Sequence, residues 1–306
     1  MLLGDGAPCL GDLVKSPPQV WYTSPNADRA DVPVLQVWKL EGGAYFRLRY
    51  CDGVEFILNR EGTRVWAGWP GSAKLEDAAV YLLGPVMGFL LRLRGIICLH
   101  ASGIEVDGQV LAFMGPPGAG KSTTAAAFAR RGYPVLTDDI TALEENRKRF
   151  WVLSGSPRLC LWPDAVTALY GSPEALPRLT PEDAVDPQWD KRWLDLAGPE
   201  YYFQSQPLPL GAIYLLGERA LTGPNFEAVT GKAAMLALLA NTYSYYLVDK
   251  VLRAQEFEAL SRLLDQVPIR RVTPHPDPAY LPRMCELIVE DFYALSRLPI
   301  SRKASN

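Results

Sequence analysis

Between residues 34 and 69 the chain carries four short runs of mixed apolar and polar side chains, at 34–40, 45–50, 54–58 and 63–69. Side chains alternate between the two faces of a strand, so such runs predict half-buried strands. Asp52-Gly53 and Glu61-Gly62 separate them as turn pairs, which predicts an antiparallel meander. Trp38, Trp66 and Trp69 are expected in its core, the alternative being an aromatic β-surface that presents an edge to a peptide. The period then changes. Ala79, Leu82, Leu83, Val86 and Leu90 recur at helical spacing, predicting one helix over 75–94 with a kink at Pro85.

From residue 96 the pattern changes again. A short apolar strand at 96–99 ends at His100, and 104–113 reads as a hairpin around Asp107-Gly108. The strand leading into Gly115 is therefore paired with the antiparallel strand directly before it. A doubly wound nucleotide domain would instead separate parallel strands by helices. An Ala-rich helix follows over 122–131, then a strand at 135–137 ending in Asp138-Asp139. A second hairpin is expected at 140–143 and 150–153.

Residues 172–210 are rich in Pro, Asp and Trp and read as a long loop or lid, with a short helix near 189–196. A strand at 210–216, helices at 232–249 and 254–266, a strand at 269–272 and a helix near 279–294 complete the chain. The expected fold is α/β: a mixed sheet with antiparallel hairpins over 95–306, preceded by a small β-meander and helix domain over 1–94.

Chemistry enters at Gly115-Pro116-Pro117-Gly118-Ala119-Gly120-Lys121-Ser122, which matches G-x-x-x-x-G-K-[ST] between a predicted strand and a predicted helix. Glycines let the backbone curl so that successive N–H groups face a phosphate, and the following helix adds its positive end. Gly115, Pro116, Gly118, Ala119, Gly120, Lys121, Ser122 and Thr123 are the expected nucleotide contacts, with Ser122 offering its hydroxyl to magnesium. Asp138 and Asp139 stand at the end of the next strand, where carboxylates can serve a metal and a hydroxyl proton. His100, at a strand end one hairpin before the loop, is a candidate for contact with the phosphate or the reacting carboxylate. His275, between Pro274 and Pro276, reads as structural.

Composition narrows the partners. The 306 residues are 48% hydrophobic and 21% charged, ordinary for a globular protein, and the net charge of −3 argues against nucleic acid or an anionic membrane. Cys9, Cys51, Cys98, Cys160 and Cys285 are scattered, without C-x-x-C spacing, so reduced thiols and a cytoplasmic setting are expected. The N-terminus lacks a basic n-region and a long apolar core, and the apolar run at 78–91 is broken by Gly84, Pro85 and Gly88. No stable membrane insertion is expected.

Leu99-His100-Ala101-Ser102, the Asp-Gly hairpin, the glycine loop and Gly132 to Asp139 together resemble the catalytic domain of HPr kinase/phosphorylase over about 96–145. Pro157 to Asp164 and Asp190 to Leu196 look like a broader group of HPr-kinase-like proteins, some of which phosphorylate a serine of lasso-peptide precursors. The first 95 residues do not look like that family's regulatory domain. The resemblance implies an ATP- and magnesium-dependent serine kinase acting on a peptide or small protein. It implies Lys121 on the β- and γ-phosphates, Ser122 and Asp139 at the metal, Asp138 as general base and His100 near the transferred group. Lys191 or Arg192 would add charge stabilisation from the long loop. The family's ring-like assemblies make self-association an expectation. Two other readings stay open from the residues alone: a kinase of a small-molecule hydroxyl, and a nucleotide-gated binding module with little catalysis.

Overall fold

The computed structural model describes residues 17–28, 30–179 and 190–297. The chain forms two compact units that are not contiguous in sequence. Within the described residues, 17–98, 190 and 242–256 make the first, and 99–179, 191–241 and 257–297 make the second. The expected division at 94/95 assigned everything after it to one domain, whereas the chain returns to the first unit for 242–256.

In the first unit, β1 (Gln19–Thr23), β2 (Leu35–Leu40), β3 (Tyr45–Tyr50), β4 (Glu55–Asn59) and β5 (Val65–Gly68) form one antiparallel sheet in sequence order. Alternation sends Val37, Leu48, Phe56 and Leu58 into a core shared with Leu82, Val86, Phe89 and Leu90. Trp38 and Trp66 fall on the opposite face and are half-buried, and Trp69 is exposed, so the three tryptophans are not core residues as expected. The single helix expected at 75–94 is two, α1 (Leu75–Tyr81) and α2 (Met87–Leu93). A π-helical turn over Leu82–Val86 joins them, with Gly84 at φ −112° and ψ −109° and Pro85 inside it. Proline withdraws one N–H from the ladder and the extra residue of the wider turn absorbs the misfit.

The second unit is built on a mixed sheet. β6 (Ile97–Leu99) leads into it, and β7 (Ala101–Val106) and β8 (Gln109–Met114) form its hairpin, with Val106 opposite Gln109. The two turn residues between them, Asp107 at φ 48° and Gly108 at φ 71°, have the left-handed backbone that such a turn demands. After α3 (Lys121–Ala129), β9 (Val135–Thr137) pairs antiparallel with the far side of β7. β10 (Thr141–Asn146) and β11 (Arg149–Val152) form the second expected hairpin. Then come β12 (Arg158–Leu161), α4 (Pro163–Tyr170), β13 (Arg192–Asp195) and β14 (Leu208–Leu216). The chain ends with β15 (Asn225–Ala228), α5 (Gly231–Ala240), α6 (Lys250–Leu264), β16 (Ile269–Thr273) and α7 (Leu281–Arg297).

β14 runs parallel to β8 on the side away from β7, and β16 runs parallel to β14 beyond it. One end of the sheet thus collects the exits of β8, β9, β14 and β16 and the entry of β7. The core packs α3 (Ala125, Ala126, Phe128) and α7 (Met284, Ile288, Phe292) with Phe113 and Tyr214.

Two expected helices differ. The one near 189–196 is β13, paired antiparallel with β12, because Arg192 and Leu194 turn inward while Trp193 and Asp195 do not, a period of two. The helix expected over 232–249 ends at Ala240, where the Asn241 carbonyl accepts from the His100 N–H at 2.7 Å instead of continuing the helix ladder. Among the described residues no helix is long and apolar enough to cross a membrane. The described cysteines, Cys51, Cys98, Cys160 and Cys285, are all free thiols.

Candidate functional site

The site begins where β8 stops. Met114 is its last residue, and Gly115 to Gly120 curl into the first turn of α3 with Gly115 at φ 155°, Gly118 at 79° and Gly120 at 100°. At Gly115 a side chain has no room: a Cβ would lie 2.8 Å from the Leu216 carbonyl oxygen of the adjacent strand. The loop closes on itself, with the Ala119 N–H donating to the Pro116 carbonyl at 3.1 Å. Lys121 is buried and folds back over the loop, donating from Nζ to the carbonyls of Gly115 at 3.0 Å and Pro116 at 3.2 Å. Burial lowers its pKa, against the pull of Asp139 and Asp138, which favour the cation. Ser122 and Thr123 occupy the first turn of α3, half-buried.

Asp138 follows β9. That strand does not neighbour β8, because β7 lies between them, yet its side chain crosses to the loop helix. Its Oδ1 accepts from the hydroxyls of Ser102 at 2.6 Å and Ser122 at 2.8 Å, and its Oδ2 accepts from the Cys160 N–H at 2.9 Å. Both carboxylate oxygens are thereby held. Burial and the neighbouring Asp139 charge raise the Asp138 pKa, and the three hydrogen bonds oppose them. Burial and Asp138 also push the Cys160 thiol up to about 12, so this residue serves the site through its backbone.

Asp139 faces the other way, in a left-handed backbone at φ 66°. His100 Nε2 lies 3.4 Å from its Oδ1 and Lys191 Nζ lies 3.8 Å from its Oδ2. The Asp139 and His100 side chains are 36% and 34% exposed, so a ligand can reach both. Burial works against ionisation of Asp139, but the His100 hydrogen bond and the charges of Lys191, His100 and Lys121 together outweigh it and hold the carboxyl at about 2.

Of the two basic residues expected from the long loop, Lys191 is at the site. Arg192 is buried in β13 and donates to the Leu176 carbonyl at 3.3 Å. Residues 180–189 of that loop lie outside the described residues. Three groups went unnoticed in the sequence. Ser102 is two residues beyond His100 and so on the same face as β7 begins, a signal that period-two reading offers. The Cys160 N–H carries no sequence signal. Arg219, just beyond the exit of β14, donates to the Gly118 carbonyl at 3.4 Å.

No protein-family model matches the chain, and no curated protein matches it in sequence. Among solved structures, the HPr(Ser) kinase/phosphatase from Coxiella burnetii matches with a TM-score of 0.34 and 14% identity, over 66% of this chain and 99% of that one. That likeness is distant.

Proposed function

We propose that the second unit is an ATP-dependent phosphotransferase that moves the γ-phosphoryl group to a serine hydroxyl of a peptide or small protein. One observation carries this reading. Ser122, at the start of the glycine-loop helix, shares the carboxylate of Asp138 with Ser102, while Asp139, His100 and Lys191 form a separate, reachable cluster beside it. A pure binder of phosphate has no need of a second carboxylate with its own histidine and lysine.

The loop N–H groups and Lys121 would hold the β- and γ-phosphates, once Nζ exchanges its loop carbonyls for phosphate oxygens. The Ser122 hydroxyl and the two carboxylates are hard oxygen donors, the kind magnesium takes alongside water and nucleotide phosphates. Among the described residues there is no cluster of three or more His, Cys, Asp or Glu that could hold a metal, and a nucleotide-borne ion calls for fewer. Magnesium bound with the nucleotide would be held by the Ser122 hydroxyl and would supply neutralisation of the phosphate charge.

The family resemblance would make Asp138 the base and Asp139 the metal's assistant. The contacts favour the reverse division. Asp138 has both oxygens committed, one of them to the metal-binding serine, and so orients Ser122. Asp139 is open to an incoming hydroxyl, with His100 Nε2 3.4 Å from its Oδ1 to hold the carboxylate in place. In the transfer the acceptor oxygen forms its bond to the γ-phosphorus as the bond to the ADP oxygen breaks. The hydroxyl proton passes to the Asp139 carboxylate. Catalysis is then mostly positioning and electrostatics.

The test uses γ-labelled ATP and serine-containing peptides. Lys121→Ala should lose both ATP binding and transfer. Asp139→Asn should keep ATP binding and lose transfer by at least a hundredfold. Full transfer by Asp139→Asn would remove it from the base role, and label on a small molecule instead of a peptide would reassign the acceptor.

A further inference from the structure

Two loops at the glycine-loop end of the sheet have no part in the reaction described above. Residues 217–224 leave β14, the immediate neighbour of β8, and residues 274–280 leave β16, one strand further out. The two are tied together. The Ala220 N–H donates to the Pro274 carbonyl at 2.9 Å. A Cβ at Gly223 would come within 2.5 Å of the Thr273 carbonyl oxygen, so only glycine permits the approach.

Both loops also carry groups suited to a ligand. Arg219 is exposed, and its Nη2 donates to the Gly118 carbonyl and sits 3.7 Å from where a Gly120 Cβ would be. His275 and Tyr280 stack with ring centroids 3.7 Å apart and planes 27° apart. Tyr280 is 46% exposed. The Asp277 N–H donates to His275 Nδ1 at 3.0 Å and so fixes the imidazole against rotation. This fixed, partly exposed aromatic stack stands two strands from the strand that feeds the phosphate loop, at the same end of the sheet, where its flat rings offer a stacking surface.

Direction decides what covers it. A triphosphate in the loop has a reacting end and a nucleoside end. The reacting end is marked by Asp138 and Asp139 after β9 and by His100 before β7, all on one flank of β8. The nucleoside end therefore leaves over the other flank, across the exits of β14 and β16. We propose that the 217–224 and 274–280 loops form the nucleoside site, with Arg219 at the α-phosphate end and the His275–Tyr280 stack as the platform for the base. This rests on the phosphate-loop reading and extends it from phosphate recognition to nucleotide recognition. Stacking accepts any aromatic base, so the platform supplies affinity for a nucleoside more than choice among bases.

Calorimetric titration of the full chain with Mg–ATP and with Mg–tripolyphosphate separates the two ends, because the second ligand has no nucleoside. The wild type should bind ATP at least tenfold more tightly than tripolyphosphate. Tyr280→Ala should weaken ATP about tenfold and leave tripolyphosphate unchanged, whereas Tyr280→Phe, which keeps the ring, should bind both like the wild type. Tripolyphosphate binding with no loss of ATP affinity in Tyr280→Ala would overturn the nucleoside site while leaving the phosphate loop intact. An equal loss of both ligands by a variant that melts like the wild type would also overturn it. Failure of the wild type to bind either ligand would overturn the phosphate-loop reading, and this inference with it.

Discussion

Ser102 is the residue whose removal distinguishes an organised carboxylate from a merely adjacent one. Its hydroxyl is buried and donates to the same Asp138 oxygen that Ser122 uses. A hydrogen bond to a charged group contributes about 1.5–3 kcal/mol, so Ser102→Ala should lower stability by that order. If Asp138 orients Ser122, the same variant should raise the magnesium concentration for half-maximal ATP binding several-fold and leave metal-free ATP binding unchanged. A magnesium curve identical to wild type would show that Ser102 is only packing. The neighbouring Asp139 gives a pH signature. Its folded pKa is depressed to about 2, below the ordinary carboxylate value of about 3.9. The stabilisation it brings is therefore complete above pH about 4 and is lost as pH falls through the folded value. The difference in Tm between wild type and Asp139→Asn should shrink as pH falls from about 4 towards 2. A difference that stays level over that range would contradict the ion cluster. Lys121 and Ser122 are legible in the sequence from the fixed offsets of the loop motif, and Asp138, Asp139 and His100 from their place at predicted strand ends beside it. The role of Ser102 shows only as a place on the His100 face, and that of Arg219 not at all, since a lone serine in a strand and a lone arginine in a loop are ordinary until a partner is known.

Among the elements, the two hairpins are the most legible, and each for a local reason. Asp107-Gly108 adopts a two-residue turn that its side chains favour, and the charged turn after β10 places Arg147 at φ 49° and Lys148 at φ 62° in the same way. β12, β13 and β15 are not legible in the sequence, although β6 and β9 are shorter still, and Trp193-Leu194-Asp195-Leu196 in and after β13 reads equally well as a helix. Helix α2 shows a different limit. Arg92 at its end is 3% exposed and pairs with Glu256, 4% exposed, on α6. A buried charge is unremarkable in the sequence because its partner is distant in the chain. Removing one member leaves the other unpaired in the interior, which costs about 3–5 kcal/mol. Arg92→Met should therefore lower the denaturant midpoint strongly, and Arg92→Met with Glu256→Leu should recover much of the loss. No recovery in the double variant would mean that packing, not charge, dominates there.

At the scale of the molecule, the sequence by itself determined an α/β chain with an antiparallel meander first and a glycine loop between strand and helix later. Those features follow from periodicity and turn chemistry, which act over a few residues and can be read without knowing what is packed nearby. Only the tertiary structure decided that 242–256 belongs with the first unit, and that β14 and β16 line up parallel to β8 from far along the chain. It also decided that the carboxylates of Asp138 and Asp139, adjacent in sequence, face different partners: one ties Ser102 to Ser122, the other meets His100 and Lys191. Those outcomes depend on strand pairing and on one backbone residue in the left-handed region, where the chain turns so sharply that neighbours point apart. The physical reason is range. Local patterns set which elements form, whereas long-range pairing sets which side chains share a site.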